Sequence, residues 1–534
     1  MRVIVRFMLW CVLGVLPVSA VPRSEGVAVL YNRAVPESRK IAELYQETRG
    51  IPAENLIALD MPVVPDISRK EYEEMVAGPL RAEFDRRGWW RRRADSKGVI
   101  MPIVNRIKVL VTVKGVPLRI KNSATAKAAP GEAKSVAGGN PLAGKDMASV
   151  DSELAMFGAE GLPIDGVLQN RFYKTGDESI WNGGHPYLVL TARIDAPSAA
   201  ICERMIGDAV EVEKGGLWGM AYVDISHKYP MGDKWMDRVA EECVDVGIPV
   251  VVDRFKDTFP KNYPMGDQAA FYYGWYDWHA SGPFKNPQFK FKKGAIGIHL
   301  HSFSAAQLKT PTQNWCAAML AKGAAVTVGN VYEPYLHLTH DFGILHERLL
   351  AGDCWVEACW KAMPVTSWQG VVLGDPLYTP FKHLLGTGEI RQEDKDFRAL
   401  RAAKVQWRDD DDERWRQLDK AGERTRSGVF YEAHGLELVE QRRTADAMAC
   451  FLKAKGMYVS AEDKLRQEFH VISADREAGR KDLAIQGLRH AQSVYGPIPV
   501  AEALQAWLDI LDPPPPPAAK PAKSGGAKGS GKKP

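Results

Sequence analysis

The residues able to do chemistry gather behind a few short apolar runs. After 187–191 come Arg193 and Asp195, and after 218–223 come Asp224 and His227. After 269–273 come Trp275, Tyr276, Asp277 and His279, and after 295–299 come His301, Ser302 and Ser304. After 324–328 come Asn330, Glu333, His337, His340 and Asp341. Taken singly, such residues more often cap helices or close turns. Their common position, each just past a run that reads as a strand, makes them a candidate site, because open parallel sheets bind ligands outside the carboxyl ends of their strands.

Three chemistries fit these residue types. A nucleophilic route would use Ser302 with His301 or His279 as base and strand-end backbone N–H groups as an oxyanion hole. No G-x-S-x-G nucleophile elbow accompanies it. A metal route would use Glu333, His337 and Asp341, whose i, i+4, i+8 spacing shares a face if the stretch is helical. No H-E-x-x-H motif is present, and Pro334 restricts where that helix can start. For the chain as a whole no cofactor is expected, with a divalent metal as the alternative. The third route is binding without chemistry. Trp275, Tyr276 and Asp277, with Arg193, Asp195, Asn330 and Glu333, would seat a peptide, protein or glycan ligand, and Tyr272, Tyr273 and Trp278 add aromatic surface.

The elements that must position these residues read as an α/β body. Runs at 27–31, 56–59 and 106–113 alternate with helical patterns, the first expected from an N-cap at Ser38 to a stop at Gly50 and the second from the capping box Ser68-Arg-Lys-Glu71 toward Arg87. Strands at 187–191, 218–223, 248–252, 269–273, 295–299 and 324–328 continue the pattern, with helices over about 197–213 and 233–246 and a last strand or turn at 371–378. Alternation of this kind predicts a doubly wound, mostly parallel sheet over 21–390. Residues 121–147, rich in Ala, Gly and Lys without periodicity, read as a mobile loop.

From about 395 charge rises and glycine falls. Ala447, Phe451 and Ala454, then Ala484, Leu488 and Ala491, repeat the spacing of second helices in tetratricopeptide-like hairpins, so 395–512 reads as a small all-α module. Residues 513–534, a proline run followed by Lys, Gly, Ser and Ala, have the composition of a disordered tail, whose lysines would meet an anionic envelope.

The first twenty residues combine Arg2 and Arg6 with the apolar stretch 7–18 and end in Val18-Ser19-Ala20, a signal-peptide pattern that places the chain in the periplasm or outside the cell after cleavage near Ala20. No later segment is apolar for long enough to span a membrane. The formal charge of +4 over 534 residues comes from the two ends: seven of the basic residues lie in the signal and the tail, and the body between is slightly acidic. Trp89-Trp90-Arg91-Arg92-Arg93 is one short aromatic-basic patch, so nucleic acid is excluded as a partner. The seven cysteines form no C-x-x-C motif and read as small hydrophobes.

The segments VLYNRAVPESRKIAELYQETRGIP, VTVKGVPLRI, SVDSELAMFG, LTARIDAPS, YYGWYD, GAIGIHLHSFSA, GAAVTVGNVYEPYL and GDPLYTPF, spread over 27–381, resemble a family of exported bacterial proteins of unknown function. More distantly, the order of strand-end segments is similar to that of gingipain-like cysteine peptidases, which have a caspase-like fold. In that family one strand ends in Gly-His-Gly with the catalytic His, the next ends in the catalytic Cys, and a Gly-Asp-Pro lies near the domain end. YYGWYD, IHLHSFSA and Gly374-Asp375-Pro376 take those places here. Trp275 stands where the His would be, and Ser302 or His301 where the Cys would be. The resemblance implies a caspase-like sheet reused for another reaction, or a pseudoenzyme that binds without cutting.

Overall fold

The computed structural model describes residues 24–123, 142, 144–162, 166–182, 184–382, 384 and 388–514. The signal-like segment 1–20, most of 121–147 and all but the start of the 513–534 tail lie outside the described residues.

Ten strands carry the body: β1 (Val27–Asn32), β2 (Leu56–Leu59), β3 (Val109–Val113), β4 (Leu190–Ile194), β5 (Met220–Asp224), β6 (Val250–Asp253), β7 (Ala269–Gly274), β8 (Ile296–His299), β9 (Thr327–Asn330) and β10 (Gly370–Leu373). Most are buried along their whole length, as expected of strands covered on both faces. They form two sheets, in the orders β9-β10-β4-β3-β1-β2 and β6-β5-β7-β8. Every pairing is parallel except β9 with β10, which is antiparallel. A single parallel bridge, Ile296 with Val326, joins β8 to the start of β9, so the second sheet continues from the edge of the first.

The first sheet is wound on both faces. Val27, Val29, Val109 and Val111 point toward helices Pro36–Arg49 and Ala199–Glu213. Ala28, Leu30 and Leu110 point toward Leu80 and Phe84 of helix Gly78–Arg86 and toward Val150 and Leu154. Each such fully buried Val, Leu or Phe contributes roughly 1.5–3 kcal/mol, and this doubled burial holds the strand ends in register.

Local signals set the element ends. Helix Pro36–Arg49 begins two residues before the expected cap, because Pro36 fills the first-turn position where a missing N–H costs nothing. The Ser38 hydroxyl instead accepts from Asn32 N at 3.0 Å. Gly50 ends the helix at φ 61°, and its N–H returns to the Gln46 and Glu47 carbonyls. Ser68 and Glu71 form the expected capping box, but the helix toward Arg86 is interrupted by a π turn at Glu73–Ala77. Trp90–Ala94 is a strand of a hairpin with Ile100–Asn105, not a helix end, with Trp89 and Trp90 packed on Phe84.

Seven helices follow residue 395 among the described residues, ending with Glu502–Leu511. Gly428–Glu440 with Thr444–Met457, and Ala461–Glu477 with Lys481–Tyr495, make two successive hairpins. Ala447, Phe451, Ala454, Ala484, Leu488 and Ala491 are buried on their second helices. These helices pack against the β6 side of the second sheet: Phe469 meets Tyr263 at 5.1 Å, and the Arg476 guanidinium lies 3.5 Å over the Phe255 ring. Lys292 and Asp394, both nearly buried, join body and helices at 2.7 Å. Six cysteines are described, all unbridged and all but Cys450 buried. No helix among the described residues is long and apolar enough to cross a membrane.

Candidate functional site

In the second sheet the chain passes from β5 outward to β6 and then back across to β7 on the other side. The switch in direction lies between β5 and β7, which is where the crevice of an open α/β sheet forms. The carboxyl end of β8 follows beside β7, and Asn330 at the end of β9 lies beyond it.

A hydrogen-bonded chain stiffens this edge from below. Asp224 Oδ2, at the end of β5, accepts from Tyr272 OH at 3.1 Å and from Phe259 N at 3.2 Å. Tyr272 OH meets His299 Nδ1 at 3.2 Å, and His299 Nε2 accepts from Asp277 N at 3.1 Å. The Trp315 ring lies parallel to that of His299, and its Nε1 donates to Asp277 O at 2.8 Å. Asp277 is therefore tied through both its N–H and its carbonyl, which fixes the course of 275–279. Burial, then the neighbouring Asp253, pushes the Asp224 carboxyl well above the usual carboxylate range. Burial likewise holds His299 neutral.

Above this chain opens a cavity of about 340 Å³, lined on one side by Tyr229, Trp275 and Tyr276 and on the other by Glu333, Tyr335 and Leu336. Its volume falls within the ~300–1,000 Å³ of small-ligand pockets. The Trp275–Tyr276 peptide is cis. Trp275 Nε1 donates to Asp233 Oδ1 at 3.0 Å, and its ring lies so close to Gly232 that a Cβ there would stand 2.4 Å from it.

His301, Ser302, Leu300 and Asn330 also line the cavity. His301 is 2% exposed and lies between the Tyr276 and Trp278 rings, each 4.7 Å away. Its Nδ1 faces the backbone oxygen of Ser302, which assigns the proton to Nδ1. Nε2 is left as a lone-pair acceptor, buried and without a partner. Burial lowers its pKa, against the opposing pull of Glu333 and Asp277, so the ring is neutral at pH 7.

The other candidates lie as follows. Asn330 Nδ2 donates to Thr339 Oγ1 at 2.8 Å, and Glu333 Oε1 accepts from Tyr335 N at 3.2 Å. His279 Nδ1 accepts from Asn314 N at 3.0 Å, outside the cavity. Among the described residues, no hydrogen bond joins Ser302 Oγ to His301 or His279. Arg193 and Asp195 belong to the end of β4 in the first sheet, where Arg193 is bound to Asp151 and to the Val116 and Pro117 carbonyls. Glu333, His337 and Asp341 do not share a helix: His337 lies in the short 3₁₀ turn Leu336–Leu338, and Asp341 caps the next helix by accepting from Ile344 N at 3.2 Å. Among the described residues no three His, Cys, Asp or Glu side chains converge as metal ligands.

Sequence reasoning missed Tyr229, Tyr335 and Leu336. Tyr229 sits two residues past His227 in the loop after β5, and Tyr335 two past Glu333. Both were readable as aromatics in strand-end loops, but nothing in the spacing turned them to the same cavity.

Searches for related proteins place little beside this chain. No family model matches it, and no curated protein matches it. Among solved structures, one described as "Structure of Protease" aligns over 66% of this chain and 78% of that one, at a TM-score of 0.36 and 9% identity.

Proposed function

We propose that this chain is an exported ligand-binding protein whose occupant seats in the cavity at the carboxyl ends of β7 and β8. The observation that carries the reading is His301 Nε2, an acceptor buried in the wall of an aromatic cavity with no partner of its own. A buried polar atom left without a hydrogen bond costs about 1–3 kcal/mol, and a ligand donor recovers that cost. The pseudoenzyme reading rests on the resemblance to gingipain-like peptidases, in which Trp275 and Ser302 stand at the two catalytic places. It agrees with an imidazole whose Nδ1 faces the Ser302 carbonyl rather than the Ser302 hydroxyl. The helical hairpins of 395–512 then serve as a second surface, for a partner protein.

Hydrolysis of a peptide or ester bond by Ser302 with His301 is the competing reading, favoured by the presence of both side chains in one cavity. A thermal-shift screen of the full chain against neutral sugars, short peptides and small amines, repeated on His301→Phe and Ser302→Ala, tests the two together. The binding reading expects stabilising compounds that lose their effect in His301→Phe and keep it in Ser302→Ala. Turnover of a fluorogenic ester or peptide that disappears in Ser302→Ala would replace it with the hydrolase.

A further inference from the structure

The class of ligand follows from which hydrogen-bonding and charged groups the cavity already satisfies; this inference rests on the cavity being the binding site. Its deep polar atom, His301 Nε2, only accepts. Glu333 at the rim is a carboxylate and also only accepts. These two acceptors favour an occupant that brings donors. Three donor-rich classes compete: cations, peptides and polyols.

A cation would seek the ring faces and Glu333, yet the protein's own ammonium groups are already there. Lys228 Nζ lies 4.2 Å over the Tyr276 ring. Lys145 Nζ donates to Tyr335 OH at 2.8 Å and lies 5.1 Å over its ring. Both would repel a second cation, and Glu333 would repel an anion. A peptide would satisfy its backbone best by adding to an open strand edge. That route is closed, because β7 is internal to the second sheet and β8 is bridged on its far side to Val326. A neutral ring with hydroxyl groups meets neither obstacle. Hydroxyls donate to His301 Nε2 and Glu333, while the ring's C–H face packs on Tyr229, which is half exposed at the cavity mouth and leans on Trp275 at 5.9 Å. Amphipathic aromatics of this kind, apolar in body and polar at one end, suit a ligand with one greasy and one wet face.

We infer that the cavity binds one ring of an uncharged saccharide, held by hydroxyl donation to His301 Nε2 and Glu333 and by stacking on Tyr229.

Tryptophan fluorescence of the full chain, titrated with cellobiose, maltose and N,N′-diacetylchitobiose, tests this, with lysinamide and a neutral tripeptide amide as parallel probes. At least one disaccharide is expected to give a saturable change at or below about 1 mM, insensitive to added salt as an uncharged ligand requires. Tyr229→Ala, at a half-exposed position, and Glu333→Gln are each expected to weaken it about tenfold with an unchanged circular dichroism spectrum. If lysinamide or the tripeptide binds in a His301-dependent manner and no disaccharide does, the saccharide assignment falls and the cavity reading stands. If no probe binds, both fall.

Discussion

The two sheets present the same kind of strand end in opposite conditions. At the end of β4, Arg193 is fully buried and each guanidinium nitrogen has an acceptor: Nε bonds Asp151 at 2.8 Å, and the two terminal nitrogens bond the Val116 and Pro117 carbonyls, each at 2.8 Å. Lys114 beside it donates to Ala196 O at 2.8 Å and reaches Asp195 at 3.4 Å. At the end of β8, His301 is 2% exposed, but one of its nitrogens has no hydrogen-bond partner. A closed polar network locks a fold; an open one leaves free energy that a ligand can claim. Residue type does not separate the two regions, since both are rich in charge. Completeness of pairing does.

The comparison can be broken most forcefully at the closed end. Asp151→Ala leaves the buried Arg193 with only the Asp195 carboxylate, 3.7 Å away, as counter-charge and is expected to lower unfolding free energy by about 3 kcal/mol, measured by urea denaturation. A loss below about 1 kcal/mol would mean that the network is not the lock described.

The open end carries its own pH dependence, through the carboxyls beneath the cavity. Burial pushes Asp253 up to about 7, and Asp224 beside it is raised as well. An unfolded Asp releases its proton near 4. Between about pH 4 and 7 the folded state therefore holds a proton that the unfolded state has lost. This group's contribution to stability falls as pH rises through that window, by up to ~1.4 kcal/mol per pH unit, and levels off above it. Asp253→Asn should flatten the slope; an unchanged profile in the variant would remove Asp253 as its source.

Gly232→Ala drives a methyl group against the Trp275 ring, an overpacking expected to cost about 1–3 kcal/mol and to deform one cavity wall. Near-native stability with intact ligand response would show that this wall gives way. The smallest stability effect is expected at the site itself. His301→Phe removes the unpartnered Nε2 together with Nδ1 and its bond to the Ser302 carbonyl, so unfolding free energy is expected to fall by only about 0.5–1.5 kcal/mol, while ligand response disappears. The same acceptor sets the pH dependence of binding: affinity should hold from pH 8 down through the usual histidine range, at about 6.5, and fall only below it, because burial lowers the His301 pKa.

Much of the fold was legible because buried parallel strands write themselves as short continuous apolar runs. All ten strands lie at or within a few residues of such a run. The antiparallel turn of β10 against β9 was not legible, since a strand's direction depends on how the chain returns and not on its residues. Trp90–Ala94 reads as a helix end because Arg91, Arg92 and Arg93 continue a polar stretch, and only the packing of the Trp89 and Trp90 rings on Phe84 makes it a strand. At the site, Trp275, Tyr276, His301, Ser302, Asn330 and Glu333 come together because they follow neighbouring strands. His279 and Arg193 read the same way but are occupied elsewhere, by Asn314 N and by Asp151. Which partner a polar side chain finds is a property of distant loops, and one sequence does not display it.

The most direct measurement is a crystal structure of the full chain with whichever probe binds most tightly. The account expects a ligand donor within about 3.2 Å of His301 Nε2, between Tyr229 and Glu333. A ligand seated instead in the crevice beside Lys114 and Asp195 at the end of the first sheet, with the β8 cavity empty, would contradict it.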